Sequence, residues 1–245
     1  MSSLLILTAV ALEAAGLARE LELPAEPAPP SRAASSPRSS SYRSYGRAGV
    51  RIAPVGLGAG LLSERWAACR EGLDAPLVIS AGVCGGLDAR LVPGDLVVPA
   101  RVLAPDGETL TVPAAAHARV LAAAGPAATG TLVTTRALVG TPAAKAALRS
   151  ATGAAAVDME SAAILAAARA DGLEAVVIRA VSDGAGAAVP AELAALLDLE
   201  GRLRGGRALL LALTRPQTLP RALELRRGSR RALAAVARVL AALRD

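Results

Sequence analysis

Four strand-like runs, Ser3 to Val10, Val50 to Val55, Pro76 to Ser80 and Ala175 to Ala180, are largely apolar and lack the regular polar alternation of a strand with one wet face. A strand of this kind has to be buried on both sides. Helical spacing over Leu12 to Leu21 and Leu61 to Gly72 separates the first three runs, so the chain reads as βαβ units with helices covering both faces of the sheet. Leu96 to Leu103 and Gly130 to Thr134 read as further strands, and Ala114 to Ala124, Pro142 to Ser150 and Ser161 to Asp171 as helices. The expected fold is a three-layer α/β/α domain with a mixed, mostly parallel central sheet.

The catalytic domain is placed at 1–200, interrupted by a flexible Pro/Ser-rich loop over 23–41. A basic helical C-terminal extension follows at 201–245. The net charge is +6, and the tail carries it: eleven arginines fall after residue 200. Helical breaks are expected at Gly201, Gly205-Gly206, Pro216, Pro220 and Gly228. Leu233, Val236, Leu240 and Leu243 form an apolar stripe behind Arg226, Arg227, Arg230 and Arg231. That pattern suits a helix docked on its own domain, with weak membrane-surface contact as the other reading. With one Trp, two Tyr and no Phe, the chain lacks the stacking platforms of a nucleic-acid binder. Its core must be built from small aliphatic side chains.

Composition also narrows the chemistry. His117 is the only histidine and sits in an ordinary helix turn, which removes Ser-His-Asp triads, Cys-His pairs and histidine-rich metal centres. Cys69 and Cys84 are too few for a zinc site or a disulfide framework. Gly56-x-Gly58 follows a strand, but Leu61 stands where a third glycine would complete a dinucleotide fingerprint, and Asp74 precedes the next strand. No metal and no organic cofactor is expected, and the cytosol is the expected compartment. Carboxylates must carry any acid–base work.

Three places offer them at the carboxyl ends of strands, where ligands of α/β sheets bind. Glu13 stands at the first strand-to-helix junction. Asp158 and Glu160 flank Met159 before a small-residue helix and would suit the hydroxyls of a ribose. Ser182 and Asp183 end the strand Ala175 to Val181, where a partly buried acid can protonate a leaving group. Each also has a plain reading, as a helix N-terminal carboxylate or a loop-capping Asp. The glycine-rich Ala81-Gly82-Val83-Cys84-Gly85-Gly86 lets backbone approach a ligand, or simply turns the chain.

Together, Val157-Asp158-Met159-Glu160-Ser161-Ala162-Ala163 and Arg179-Ala180-Val181-Ser182-Asp183 resemble the V-[ED]-M-E-[GSA]-A-A and R-A-[IV]-S-D motifs of the purine nucleoside phosphorylase and nucleosidase superfamily. The likeness runs from Leu4 to about Asp183. It is strongest to the methylthioadenosine/S-adenosylhomocysteine nucleosidase branch and to bacterial, hopanoid-associated phosphorylase-like proteins.

The resemblance implies a nucleoside phosphorylase-like fold and cleavage of the N-glycosidic bond of a purine nucleoside, adenine above all. Asp183 would protonate N7 with Ser182 holding it. Glu160 would bind the ribose hydroxyls, Met159 would pack on the sugar, and Glu13 would activate water. Gly82, Val83 and the main chain around Leu138 would complete the substrate site. A homodimer or larger homo-oligomer is implied too. Ser80 and Val83 stand where phosphorylases place phosphate ligands, which favours water over inorganic phosphate as co-substrate unless Arg43, Arg47 or Arg51 restores the site. Phosphorolysis and an inactive nucleoside-binding protein are the alternatives. A lipid-bearing adenosine would suit the basic amphipathic tail.

Overall fold

The computed structural model of the protein describes residues 3–26, 42–47, 49–189 and 219–244. The first strand, β1 (Leu4–Thr8), is buried at every position. It pairs in parallel with β3 (Val50–Pro54) on one side and β4 (Leu77–Gly86) on the other. The βαβ reading of β3 and β4 therefore holds, with β1 inserted between them. The sheet is mixed: β10 (Ala175–Asp183) is parallel to β4, and β8 (Thr131–Thr134) is parallel to both β6 (Arg101–Leu103) and β9 (Ala156–Asp158). Antiparallel additions come from β2 (Tyr45–Arg47) on β3, β5 (Leu96–Val97) on β10 and β7 (Thr109–Thr111) on β6.

Several boundaries differ from the sequence reading. Leu96 to Leu103 is two short strands, because β5 pairs with β10 whereas β6 pairs with β8. β2, β7 and β9 have only three residues each, too few for a periodic signal. The main departure is the glycine run after Ser80. It does not turn the chain but continues β4 to Gly86, where Gly85 and Gly86 pair antiparallel with Val157 and Ala156 of β9. Without side chains on these residues, one strand bends from β1 to β9 and joins the two halves of the sheet. Of the loop read over 23–41, residues 27–41 lie outside the described part.

Helices α1 (Ala11–Glu20), α2 (Leu62–Arg70), α3 (Ala114–Ala124), α4 (Pro142–Thr152) and α5 (Ser161–Ala170) follow the expected spans within a residue or two. Their core faces are mostly Ala, Leu, Val and Ile, and the aromatic Trp66, Tyr42 and Tyr45 stay at the margin of the core. No helix among the described residues is long and apolar enough to cross a membrane.

The last helix, α6 (Leu219–Arg244), is unbroken through both Pro220 and Gly228. Proline is tolerated in a first turn, where its missing N–H has no helical partner anyway. The expected breaks at Gly201, Gly205-Gly206 and Pro216 lie outside the described residues. Within α6, Ala232, Ala235, Val236, Val239, Leu240 and Leu243 are buried in the same core as β4 and β10, while Arg226, Arg227, Arg230 and Arg231 are exposed. The stripe is covered by the protein's own core. This removes, for α6, the apolar face on which the membrane-surface reading rests.

Gly228 is set by close packing. A Cβ at this position would run into the carbonyl of Ser182, so the glycine lets α6 lie directly against the end of β10. Gly228→Ala is expected to lower stability by about 1–3 kcal/mol, as overpacking does. Gly186→Ala, which meets nothing within 4 Å, should stay within about 0.5 kcal/mol of the parent. Urea denaturation of the two variants checks this.

Candidate active site

The strand ends converge on a cavity of about 300 Å³ whose lining includes Val10, Glu13, Val83, Leu138, Met159, Glu160, Ser182 and Asp183. Seven of the eight residues expected in the site thus meet at one place. Gly82 is the exception and lies beneath it. Its φ is +150°, and a Cβ there would stand 2.7 Å from Arg179 Nη1 and 2.8 Å from Glu13 Oε1. Gly82 makes room for two charged side chains and does not line the cavity.

Glu13 occupies the third position of α1 and folds back over the helix start. Its Oε2 accepts from the Ala9 N–H at 3.0 Å and its Oε1 from the Val83 N–H at 3.1 Å. The helix N-terminus favours a carboxylate here. Burial raises the pKa of Glu13, against the pull of Arg179 and the backbone donors.

Asp158 and Glu160, expected on one side of an extended segment, divide their roles. The Asp158 carboxylate turns inward. It accepts from Thr134 Oγ1 at 2.7 Å, from Ser161 Oγ at 2.5 Å and from the Ser161 N–H at 3.1 Å, and it pairs with Arg179 Nη2 at 2.8 Å. Asp158 therefore anchors Arg179 and the start of α5. Glu160 is left to the cavity. Its Oε1 accepts from the Gly58 N–H at 3.0 Å, and its Oε2 lies 3.5 Å from Arg179. The Gly56-x-Gly58 turn, which lacks the third glycine of a dinucleotide fingerprint, thus serves this carboxylate. Burial pushes Glu160 up to about 7; Arg179 lowers it, and Asp158 and Glu13 raise it further.

Arg179 has no assigned role in the sequence reading, yet it joins the three carboxylates. It is fully buried, and its guanidinium also donates to Ser80 Oγ at 3.0 Å. Ser80 is itself fully buried and bonded to Ser161, so it presents nothing to an anion in the cavity. Arg43, Arg47 and Arg51 do not line the cavity either; Arg51 is held by Glu26 and by the carbonyls of Cys69 and Glu71. An arginine inside an otherwise apolar strand was the available signal for Arg179, since a buried guanidinium demands partners.

Asp183 sits just past a bulge in β10, where the register with β4 slips between Val181 and Asp183. Such bulges re-aim a side chain. Oδ1 accepts from Ser182 Oγ at 2.5 Å, and Oδ2 is 2.5 Å from Lys145 Nζ of α4. Lys145, Ser229 and Leu233 were also absent from the expected site. The last two bring α6 to the cavity wall. Among the described residues, no group of three or more His, Cys, Asp or Glu is arranged to hold a metal ion.

Residues 4–208 match the model of the phosphorylase superfamily. The chain belongs to this superfamily. The match extends past Asp183, where the sequence likeness was expected to end. No curated protein matches. Similar solved structures include a Helicobacter pylori 5′-methylthioadenosine/S-adenosylhomocysteine nucleosidase complexed with a pyrrolopyrimidine-bearing pyrrolidinol, with a TM-score of 0.71, 17% identity and coverage of 100% of this chain and 98% of that one. Futalosine hydrolase of Helicobacter pylori gives 0.70, 17%, 100% and 97%. The Neisseria meningitidis nucleosidase with methylthio-immucillin-A gives 0.68, 21%, 99% and 98%. At these identities the likeness is one of fold, over 99–100% of this chain.

The electrostatics of Glu160 predict a stability test. A carboxyl whose folded pKa is raised from 4.5 to about 7 favours the folded state while protonated, and that advantage is lost as pH rises through 7. Glu160→Gln, which removes the ionisation, should therefore be more stable than the parent above pH 7, by up to about 3 kcal/mol. Below about pH 4.5 the two should converge. Denaturant titrations at pH 4.5 and pH 8 check the sign.

Proposed function

We propose that the protein hydrolyses the N-glycosidic bond of a purine nucleoside, with adenine the expected base. Asp183 is the acid, Glu160 the ribose ligand and Glu13 the group that activates water. The observation that carries this reading is the seat of Glu13. Its carboxylate takes the Ala9 N–H after β1 and the Val83 N–H, the backbone donor that the glycine-rich strand end would offer a phosphate. A phosphate in their place would meet a negative side chain, and Arg179 is already committed to Asp158 and Glu160. Water has no such conflict. Superfamily membership supports the reading, as does the fold shared with nucleosidases and a futalosine hydrolase.

In the reaction the C1′–N9 bond breaks with its electron pair passing to the base, and Asp183 gives its proton to N7. Positive charge develops on the sugar beside Glu160 and Glu13, the pair whose pKa values burial has raised. Carboxylates that ionise at a cost because they are buried gain most when a cation forms against them. Water then attacks C1′, and its proton passes to Glu13. The cavity wall is mostly aliphatic, with Leu12, Leu57, Leu138, Val139 and Leu233, so the base and the 5′ substituent meet apolar surface. The chemistry calls on no organic cofactor. A homodimer or larger homo-oligomer in the cytosol goes with this reading, and analytical ultracentrifugation tests the assembly.

Free-base release from purine nucleosides should proceed equally with and without phosphate; strict dependence on phosphate would overturn hydrolysis. Asp183→Asn should lose at least about 100-fold in kcat, the usual worth of a general acid. Full activity in that variant would remove the mechanism. Because Glu160 must be a carboxylate, kcat/KM should climb as pH rises through about 7.

A further inference from the structure

Lys145 is the only lysine of the chain, against twenty-six arginines. It is also the one buried residue of α4 and has no exposed surface. Thr141 caps the helix and Pro142 opens it, which fixes the turn that aims Lys145 inward. Its Nζ donates to Asp183 Oδ2 at 2.5 Å, to the Gly184 carbonyl at 2.8 Å and to the Ala187 carbonyl at 3.1 Å. Three oxygen acceptors match the three hydrogens of an ammonium, whereas a neutral amine has two and a lone pair. The planar fork of arginine cannot present three donors around one point. That accounts for a lysine here in a chain that uses arginine everywhere else.

We propose that Lys145 is the positioning residue for the acid. It ties down Oδ2 of Asp183, leaves Oδ1 to carry the proton, and supplies the counter-charge for the carboxylate that remains once the proton has gone. The inference rests on Asp183 being the acid of the proposed reaction. In the step itself the Asp183 O–H bond breaks, its proton goes to N7 and its electron pair stays on the carboxylate. Lys145 keeps all three hydrogens. Ser182 completes the cradle: its single hydroxyl hydrogen faces both Oδ1 at 2.5 Å and the Cys84 carbonyl at 3.2 Å. When Oδ1 carries a proton both contacts are hydrogen bonds; when it does not, the hydroxyl can turn to the carboxylate.

The test compares two leaving groups in Lys145→Met. One substrate is a purine nucleoside, whose base needs a proton to depart. The other is 4-nitrophenyl β-D-riboside, whose phenolate leaves without one. The expected result is a fall of at least about 100-fold in kcat on the nucleoside, with KM within about threefold and the riboside rate within about threefold. Asp183→Asn should show the same pattern. In Lys145→Ala, ethylammonium should restore part of the nucleoside rate and ethanol should not.

Equal losses on both substrates, or an undiminished nucleoside rate, overturn the role of Lys145. Should the Met variant fail to fold, Lys145→Gln on the same pair of substrates decides in the same way. A parent protein that cleaves the riboside and no purine nucleoside overturns instead the reading of Asp183. One that cleaves neither overturns the proposed function.

Discussion

The structure depends on burying one guanidinium. Arg179 lies in the middle of β10, flanked by apolar residues, with no exposed surface. A charge in that position is tolerable only if it is paired and its hydrogens are satisfied. Asp158 supplies the close pair, Glu160 a longer one, and Ser80 and Ser161 take further hydrogens. These partners come from β4, β9 and the first turn of α5, so the requirement of one side chain fixes how four elements meet. Among the described residues no buried side-chain nitrogen or oxygen lacks a partner. The network is closed, which is the condition under which buried charge specifies a geometry instead of loosening it.

That closure needs space, and glycine provides it in two places. Gly82 lets Arg179 and Glu13 pass where a Cβ would stand within 3 Å of both. Gly228 lets α6 lie on the carbonyl of Ser182, immediately before Asp183. The C-terminal helix is therefore a wall of the cavity, and its basic residues face away from it. The tail's charge and the site's chemistry are separate properties of one helix.

Much of this was legible in the sequence. Continuous apolar runs announce a sheet covered on both faces, and the acids at the carboxyl ends of β9 and β10 lie where such sheets bind ligands. Periodicity could not show that β4 runs through its glycines, because a strand that changes partner midway has no pattern of its own in the chain. The difference between Asp158 and Glu160 was hidden for a related reason. Alternation gives the side of an extended segment, but Glu160 has φ −124° and ψ −31°, so the chain has already left the strand and the two carboxylates diverge. Lys145 is invisible to periodicity altogether: α4 is otherwise exposed or half-buried, and its single inward residue is the type least often found inside. Its uniqueness among the basic residues was the one trace it left.

The charges of the cavity are not evenly balanced, and the imbalance has a direction. On one side three carboxyl groups, Glu13, Asp158 and Glu160, share one guanidinium. Asp158 takes the close contact, and the other two are left with pKa values raised by burial. On the other side of the cavity Asp183 faces Lys145 Nζ at 2.5 Å. Under the proposed mechanism, carboxyl groups outnumber the guanidinium where a sugar cation would form, and Lys145 stands ready to pair with the carboxylate that Asp183 becomes once its proton is handed over. A substrate bound across the cavity would gain from bond cleavage at one end without an uncompensated charge appearing at the other. Such an arrangement stabilises separated charge and gives little to a neutral ground state, which is the physical requirement for a site that breaks a glycosidic bond.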